Sequence, residues 1–323
     1  MNKIKFIAEI GGNHMGDYEK AKQLVENCIK TDVEVIKLQL YTAKGLVNEK
    51  YDNVRHHHFK KFELTKDEYI KLAKLIRSSG KQFCASVWDI DMMDWISDYV
   101  DIWKIGSGDF TSLPLISKVL DHGKPTILST GLSNFNEVKK VIEYCTLNHD
   151  INQLLLMQCT SMYPIPDSEV NLSVINTYKD NFNVSLGYSD HTIGIDALKS
   201  SLSMNIEAVE FHYTLNKTDT SFRDNLVSLD YNDVRELSVW RDKVSLYMGS
   251  SIKCPTLSEI SSGHINSFRR SVYANRKIKK GEIINTEDII LLRPFVNDSL
   301  SPLDLNKEFT LTANKDYDYL DLI

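Results

Sequence analysis

The sequence predicts a (β/α)8 barrel followed by a small second domain. Eight short apolar runs recur over roughly 250 residues, the count and size of that barrel. The runs are nearly continuous in apolar residues, as strands covered on both faces are. Amphipathic stretches separate most of them, as crossovers between parallel strands require.

The eight runs are residues 5–10, 33–40, 82–87, 102–107, 125–130, 154–159, 184–189 and 208–213. Helical patterns occupy 18–30, 65–79, 136–145, 195–205 and 230–247. The second of these opens on Thr65-x-x-Glu68, a capping box that satisfies two free N–H groups reciprocally, and closes on Gly80. Residues 42–64 break the rhythm after the second strand and carry Arg55-His56-His57-His58, Lys60 and Lys61. An insertion there sits over the carboxyl-end mouth, although such a cluster is more often a solvated face. Read as extended chain, consecutive histidines point opposite ways and make no metal site. The barrel domain is expected over residues 1–249. Residues 250–268, with Ser250-Ser251, Pro255 and Ser261-Ser262-Gly263, read as a linker. Residues 269–323 then form a separate domain, punctuated by Lys280-Gly281 and Arg293-Pro294. About 55 residues is near the lower limit of independent stability, so this domain is expected to dock on something. The linker would let it reach a neighbouring subunit.

Composition narrows the function. With a net charge of −6 and no basic stripe, a nucleic-acid partner is not expected. Local lysines must hold any anionic substrate against that overall field. Cys28, Cys84, Cys145, Cys159 and Cys254 are scattered, odd in number and without a Cys-x-x-Cys pair. That pattern fits reduced thiols in the cytoplasm. The chain opens on a strand-like run without signal-peptide features, and no apolar run approaches a membrane span. A cytoplasmic protein with no membrane partner is expected.

Barrels keep their chemistry at the carboxyl ends of the strands. Two strands end in imidazoles, in Gly187-Tyr-Ser-Asp-His191-Thr192 and in Glu210-Phe-His212-Tyr213. A crossover between them puts both histidines on one edge of the sheet, on neighbouring strands. Two neutral imidazoles there suit a borderline divalent ion such as manganese, iron, cobalt or zinc. Lys37 and Lys104 fall inside strands, where a lysine needs an anion to offset its burial. Each is a point cation suited to phosphate or carboxylate. Ser86, Ser107, Ser129, Ser161 and Ser189 add hydroxyl donors at the same ends. Glu9, Asp109 and Glu210 can move protons or hold sugar hydroxyls. This inventory fits a small phosphorylated anion beside a divalent metal.

Seven segments together resemble the sialic acid (nonulosonate) synthase family: Ile7-Ala-Glu9-Ile-Gly-Gly-Asn13-His14, Lys37-Leu-Gln39, Lys104-Ile-Gly-Ser-Gly, Leu128-Ser-Thr-Gly131, Gln158-Cys-Thr-Ser-x-Tyr163-Pro164, Gly187-Tyr-Ser-Asp-His191 and Glu210-Phe-His212-Tyr-Thr. The tail resembles that family's antifreeze-like SAF domain in Arg269-Arg-Ser-Val-Tyr-Ala274, Ile278-Lys-Lys-Gly-Glu282, Glu287-Asp-Ile289 and Arg293-Pro294. The resemblance implies condensation of phosphoenolpyruvate with the open-chain aldehyde of an N-acyl hexosamine such as N-acetylmannosamine. The products would be a nine-carbon 2-keto acid and phosphate. By the same resemblance His191 and His212 hold the metal, usually manganese, with magnesium or cobalt as alternatives. Lys37, Ser86, Lys104, Ser107, Ser129, Ser161 and Ser189 fall at phosphoenolpyruvate-binding positions. Glu9, Gln39, Tyr163 and Asp224 fall on the sugar side. Glu9, Lys37, Lys104 and Asp109 are the implied catalytic residues, and Asp109 stands where the family often has glutamate. Arg293 matches an arginine that reaches the sugar's acyl group in the partner subunit, which implies a domain-swapped homodimer.

The chain also departs from that pattern. Val87-Trp88 replaces the usual Pro-Phe, Ser161 stands where asparagine is frequent, and residues 219–228 lack the usual Gly-Pro-Asp. Phe295 follows Arg293-Pro294 in place of glycine. These changes bear on which hexosamine is used: N-acetylmannosamine, a 2,4-diacetamido sugar or a phosphorylated form. Two other functions stay open on the residues. One is a synthase condensing phosphoenolpyruvate with a phosphorylated aldose. The other is a catalytically silent relative with a structural role.

Overall fold

The computed structural model of the chain describes residues 3–218 and 222–323. Eight parallel strands close into a barrel: β1 (Lys5–Glu9), β2 (Val35–Leu40), β3 (Gln82–Val87), β4 (Ile102–Ile105), β5 (Thr126–Ser129), β6 (Leu154–Cys159), β7 (Ser185–Ser189) and β8 (Ala208–His212). Each pairs with the next in chain order, and β8 closes on β1 with Glu9 opposite His212. Several strands stop short of their expected ends. Ser107, expected at the end of β4, lies beyond it in a 3₁₀ turn, Ser107–Asp109.

Helices coat the barrel, and the expected ones differ in length. The helix expected at 136–145 runs Phe135–Asn148, because Asn134 caps it and Glu137 completes a capping box. The one expected at 195–205 is shorter, Asp196–Ser201. Leu113–Leu120 and Val174–Asn181 form helices that the periodicity did not reveal. Each spans eight residues, too few for a 3.6-residue period to stand out. Residues 42–64 are not extended: Ala43–Leu46 and Asn53–Lys60 are helical, and the three histidines lie on the second of these. The last barrel helix, Tyr231–Met248, is clasped to β1 by Arg241. This buried guanidinium donates to Ile4 O at 2.8 Å and to Glu34 Oε2 at 3.0 Å, and lies 3.9 Å from the Phe6 ring centroid. No helix among the described residues is long and apolar enough to cross a membrane.

The barrel interior is layered. Ile7, Val35, Cys84, Ile102, Ile127, Met157 and Ala208 form an apolar layer. Strand side chains alternate faces, so the residue two positions on points inward as well. Those residues are Glu9, Lys37, Ser86, Lys104, Ser129, Cys159 and Glu210, one step nearer the carboxyl ends. On β7 the lower position is Gly187, where a Cβ would lie 2.8 Å from Ala208 O and 3.0 Å from Met157 Cγ. A side chain there would push β7 away from β8.

Residues 250–323 form a second compact unit. Antiparallel pairs β9 (Ser271–Ala274) with β11 (Ile289–Leu292), and β10 (Ile283–Ile284) with β12 (Leu311–Thr312), surround a small core that includes Ala274, Ile278, Ile284, Ala313 and Tyr317. The linker expected at 250–268 is instead part of this unit and holds two short helices, Leu257–Ser261 and His264–Phe268. Thr256 and Glu259 cap the first reciprocally. Phe295 N donates to Asn266 O at 2.7 Å, tying the second to the fold.

Candidate active site

Four charged side chains meet inside the barrel at its carboxyl-end mouth. Lys37 Nζ lies 2.7 Å from Glu9 Oε2 and 2.5 Å from Glu210 Oε1. Lys104 Nζ lies 2.8 Å from Glu210 Oε2. All four are nearly sealed from water. Two cations balance two carboxylates, which is the condition for burying charge at tolerable cost. The partners are shared unequally, and the protonation tendencies follow. Burial would lower Lys37, but Glu210 and Glu9 outweigh it and raise the ammonium's pKa. Lys104 has a share of Glu210 and otherwise faces Met157 Sδ at 3.9 Å, so burial prevails and lowers it. Glu210 is held well below the usual carboxylate range by its two lysines, against its burial. Glu9 is raised, chiefly by burial, although Gly11 N donates to it at 2.7 Å. Gln39 Nε2 donates to the other Glu9 oxygen at 3.3 Å, and Ser189 Oγ to Glu210 at 3.4 Å.

The two histidines lie on one side of this cluster. Their rings are 5.3 Å apart, and the Tyr163 ring sits 4.1 Å from His191 and 5.7 Å from His212. His191 Nδ1 is 2.9 Å from Thr160 O. Donation to that carbonyl fixes the tautomer and leaves the Nε2 lone pair free. His212 Nδ1 is buried with no hydrogen-bond partner, and Asp224 Oδ2 is 3.7 Å away. Burial lowers His212 to about 4, so the ring is neutral at pH 7. Burial would lower His191 as well, but Cys159, the Thr160 carbonyl and Asp190 outweigh it and raise that ring. The neutral His212 ring with its orphaned nitrogen, beside a His191 ring anchored through Nδ1, suits a divalent ion. Among the described residues no three His, Cys, Asp or Glu side chains gather to hold a metal. A site with two protein ligands keeps coordination positions open, as catalytic ions do. Asp190 shapes the turn that presents His191. It accepts from Tyr188 Oη at 2.7 Å, Thr192 Oγ1 at 2.9 Å and Thr192 N at 3.1 Å.

The hydroxyl side is equally defined. Ser107 Oγ accepts from Gly131 N at 3.1 Å. A Cβ on Gly131 would meet Ser161 Oγ at 2.5 Å and Ser107 Oγ at 2.6 Å, so both hydroxyls converge on this glycine. Ser129 Oγ is buried without a partner. Ser86 lies beside Gly106, at the turn after β4. Asp109 follows in that turn, and burial pushes its carboxyl up to about 6. Arg293 belongs to the second unit, just past β11, with its guanidinium 5.6 Å from the Phe268 ring centroid.

The barrel thus gathers most of the residues that sequence reasoning selected. Reasoning from sequence missed Glu210 as the shared anchor of both lysines, and Cys159, whose Sγ is 3.9 Å from His191 Nδ1. Their inward positions in the alternation of β6 and β8 were the available signal. It also missed the contact of Tyr41 with Trp88, whose rings stack 5.2 Å apart, although Trp88 itself stood out as a departure from the resembled pattern. Residues 219–221, part of the segment that departs from the resembled pattern, lie outside the described residues.

A model of the NeuB family matches residues 24–253. An uncharacterized protein of Methanocaldococcus jannaschii is 36% identical over 89% of this chain and 84% of its own length. The N,N'-diacetyllegionaminic acid synthase of Campylobacter jejuni is 31% identical, covering 91% of each chain. Among solved structures, an N-acetylneuraminic acid synthetase from Leptospira borgpetersenii in complex with citrate superposes with a TM-score of 0.74. It is 25% identical and covers 81% of this chain and 91% of its own.

Proposed function

The chain belongs to the NeuB family, and from that premise we propose that it is a nonulosonate synthase joining phosphoenolpyruvate to an N-acyl hexosamine such as N-acetylmannosamine. The observation that carries this reading is the lysine pair sharing Glu210 beside two imidazoles at one barrel mouth. In it, Lys37 and Lys104 take the anionic enol phosphate in place of Glu210. Ser129, with its unpartnered hydroxyl, and Ser86, Ser107, Ser161 and Ser189 supply further donors. Glu9, Gln39, Tyr163 and Asp224 line the sugar. The methylene carbon of the enolpyruvate bonds to the aldehyde carbon, water oxygen adds to C2, and the C2–O bond to phosphate breaks. Asp109 takes the proton released by the water. In the balance that proton ends on the aldehyde oxygen, and the second water proton leaves with the phosphate as C2 becomes a ketone. His191 and His212 would hold a divalent cation, manganese before magnesium or cobalt, which supplies Lewis acidity toward the aldehyde when bound. The assembly is read as a homodimer, with the second unit as an antifreeze-like domain whose Arg293 contributes to sugar recognition.

Phosphate release from phosphoenolpyruvate, assayed across a panel of acylated hexosamines with and without a chelator, tests the reading. Release is expected with at least one sugar and is lost on chelation. Silence across the panel refutes the synthase, and full activity after metal stripping refutes the metal. His212→Ala is expected to abolish metal-dependent turnover with circular dichroism unchanged. Arg293→Ala is expected to raise KM for the sugar more than for phosphoenolpyruvate.

A further inference from the structure

The hydroxyl side of the mouth hangs on one turn, the end of β5. Ser129 is buried there with its hydroxyl unpartnered, and Gly131 N donates to Ser107 Oγ at 3.1 Å. Thr130 joins these two residues. Strand side chains alternate, so Ser129 faces the barrel interior and Thr130 faces the helices outside. Thr130 N and Thr130 Oγ1 both donate to Met157 O, at 3.1 and 2.9 Å, which ties the end of β5 to β6. Met157 is also the cross-strand partner of Ser129, and its Sδ lies 3.9 Å from Lys104 Nζ. One carbonyl thus anchors the turn beside both the serine and the lysine.

With its proton on that carbonyl, the Thr130 hydroxyl can only accept a further bond. Tyr178 Oη supplies it at 3.0 Å. Tyr178 stands on the outer helix Val174–Asn181, where it and Ile175 are the buried residues. It is 4% exposed, and a phenol so far from water needs a partner. The relay Tyr178–Thr130–Met157 therefore runs from an outer helix through the turn to β6. It sets the rotamer of Thr130, and the peptide units on either side of Thr130 carry Ser129 and Gly131. Groups that meet a developing charge need such support, because a small misplacement costs rate steeply. The relay does not reach the far wall of the mouth: β1, which carries Glu9, stands opposite β5 in the closed ring.

Resting on the synthase reading above, we infer that Tyr178 is a positioning residue for the phosphoenolpyruvate half of the site. Through the Thr130 hydroxyl it fixes the turn that presents Ser129 Oγ and, by way of Gly131 N, Ser107. The test measures both KM values in the full-length protein, with a sugar of the panel above that supports phosphate release. Tyr178→Phe removes one oxygen and keeps the ring. It is expected to raise KM for phosphoenolpyruvate by about fivefold and leave KM for the sugar within about twofold. Thr130→Val is expected to do at least as much, and the double variant to add nothing beyond it, as members of one relay should. Thr130→Ser keeps the hydroxyl and should stay within about twofold of the parent. Calorimetric titration with phosphoenolpyruvate alone should show the same weakening without turnover. Should Thr130→Val lose its cooperative thermal transition, Tyr178→Phe and Thr130→Ser decide by themselves. An unchanged Tyr178→Phe, parallel rises in the two KM values, or additive losses in the double variant overturn the inference and leave the synthase standing. A parent protein that neither binds phosphoenolpyruvate nor releases phosphate from it overturns both.

Discussion

The two ends of the same barrel differ completely, although a two-residue step along each strand separates them. At the amino end Ile7, Val35, Ile102 and Ile127 pack as an apolar plug. Beneath it opens a cavity of about 520 Å³, lined by Ile7, Thr126, Leu155 and Ala208 among others. At the carboxyl end Glu9, Lys37, Lys104 and Ser129 occupy the next inward positions. The cavity's lining includes Lys3 and Lys5, but these are exposed and turn to Glu34 at 3.1 Å and Gln82 at 3.4 Å, and no imidazole stands among the described residues that line it. Volume alone therefore does not locate function here; convergent charge does. The apolar plug also serves the polar layer. It keeps water from the lower side of the lysine–glutamate cluster, which strengthens those bonds and magnifies any mismatch.

Exchanging the two layers breaks this comparison most severely. Ile127→Lys places an unpaired ammonium in the plug and is expected to cost about 5 kcal/mol, seen as loss of the cooperative thermal transition. The converse change, Lys104→Met, extends the apolar layer upward. It is expected to lower kcat/KM for phosphoenolpyruvate by at least about 10³-fold in a phosphate-release assay, with the fold retained by circular dichroism.

A milder change sharpens the contrast within the mouth. Asp109→Asn is expected to cut kcat by about 100-fold. In the parent protein, activity should fall as pH drops through about 6, where this carboxyl takes up a proton. That limb should vanish in the variant. The smallest effect concerns His14, a buried ring at the rim whose Nδ1 accepts from Gly16 N at 3.0 Å. Burial lowers it from its ordinary 6.5 to about 4. Between those values the unfolded chain binds more protons than the folded one, so stability falls as pH falls through that window. His14→Gln should therefore flatten the loss of stability between pH 7 and pH 5 by about 2 kcal/mol, read from denaturant unfolding at both.

Much of the fold was legible because the strands state their layering locally. Ile7 before Glu9, Val35 before Lys37 and Ile102 before Lys104 repeat one alternation, and each repeat lies within a single strand. The histidine pair was legible because β7 and β8 are neighbours in both chain and sheet. The helix Leu113–Leu120 was not, because only eight residues carry its pattern. Residues 250–268 looked like a linker because serine and proline set their composition, yet Thr256 and Glu259 cap a helix there. Glu210 looked like one acid among several, and its two lysines come from β2 and β4, far from it in the chain.

The sequence by itself determined the layer in which each barrel residue stands. Side-chain direction alternates with a period of two, and that is a property of the chain's own backbone. Only the tertiary structure decided which of those residues touch. Closing the ring through β8 and β1 carries Glu210 between Lys37 and Lys104. Such contacts depend on ring closure and on distances across the barrel, which no local pattern encodes.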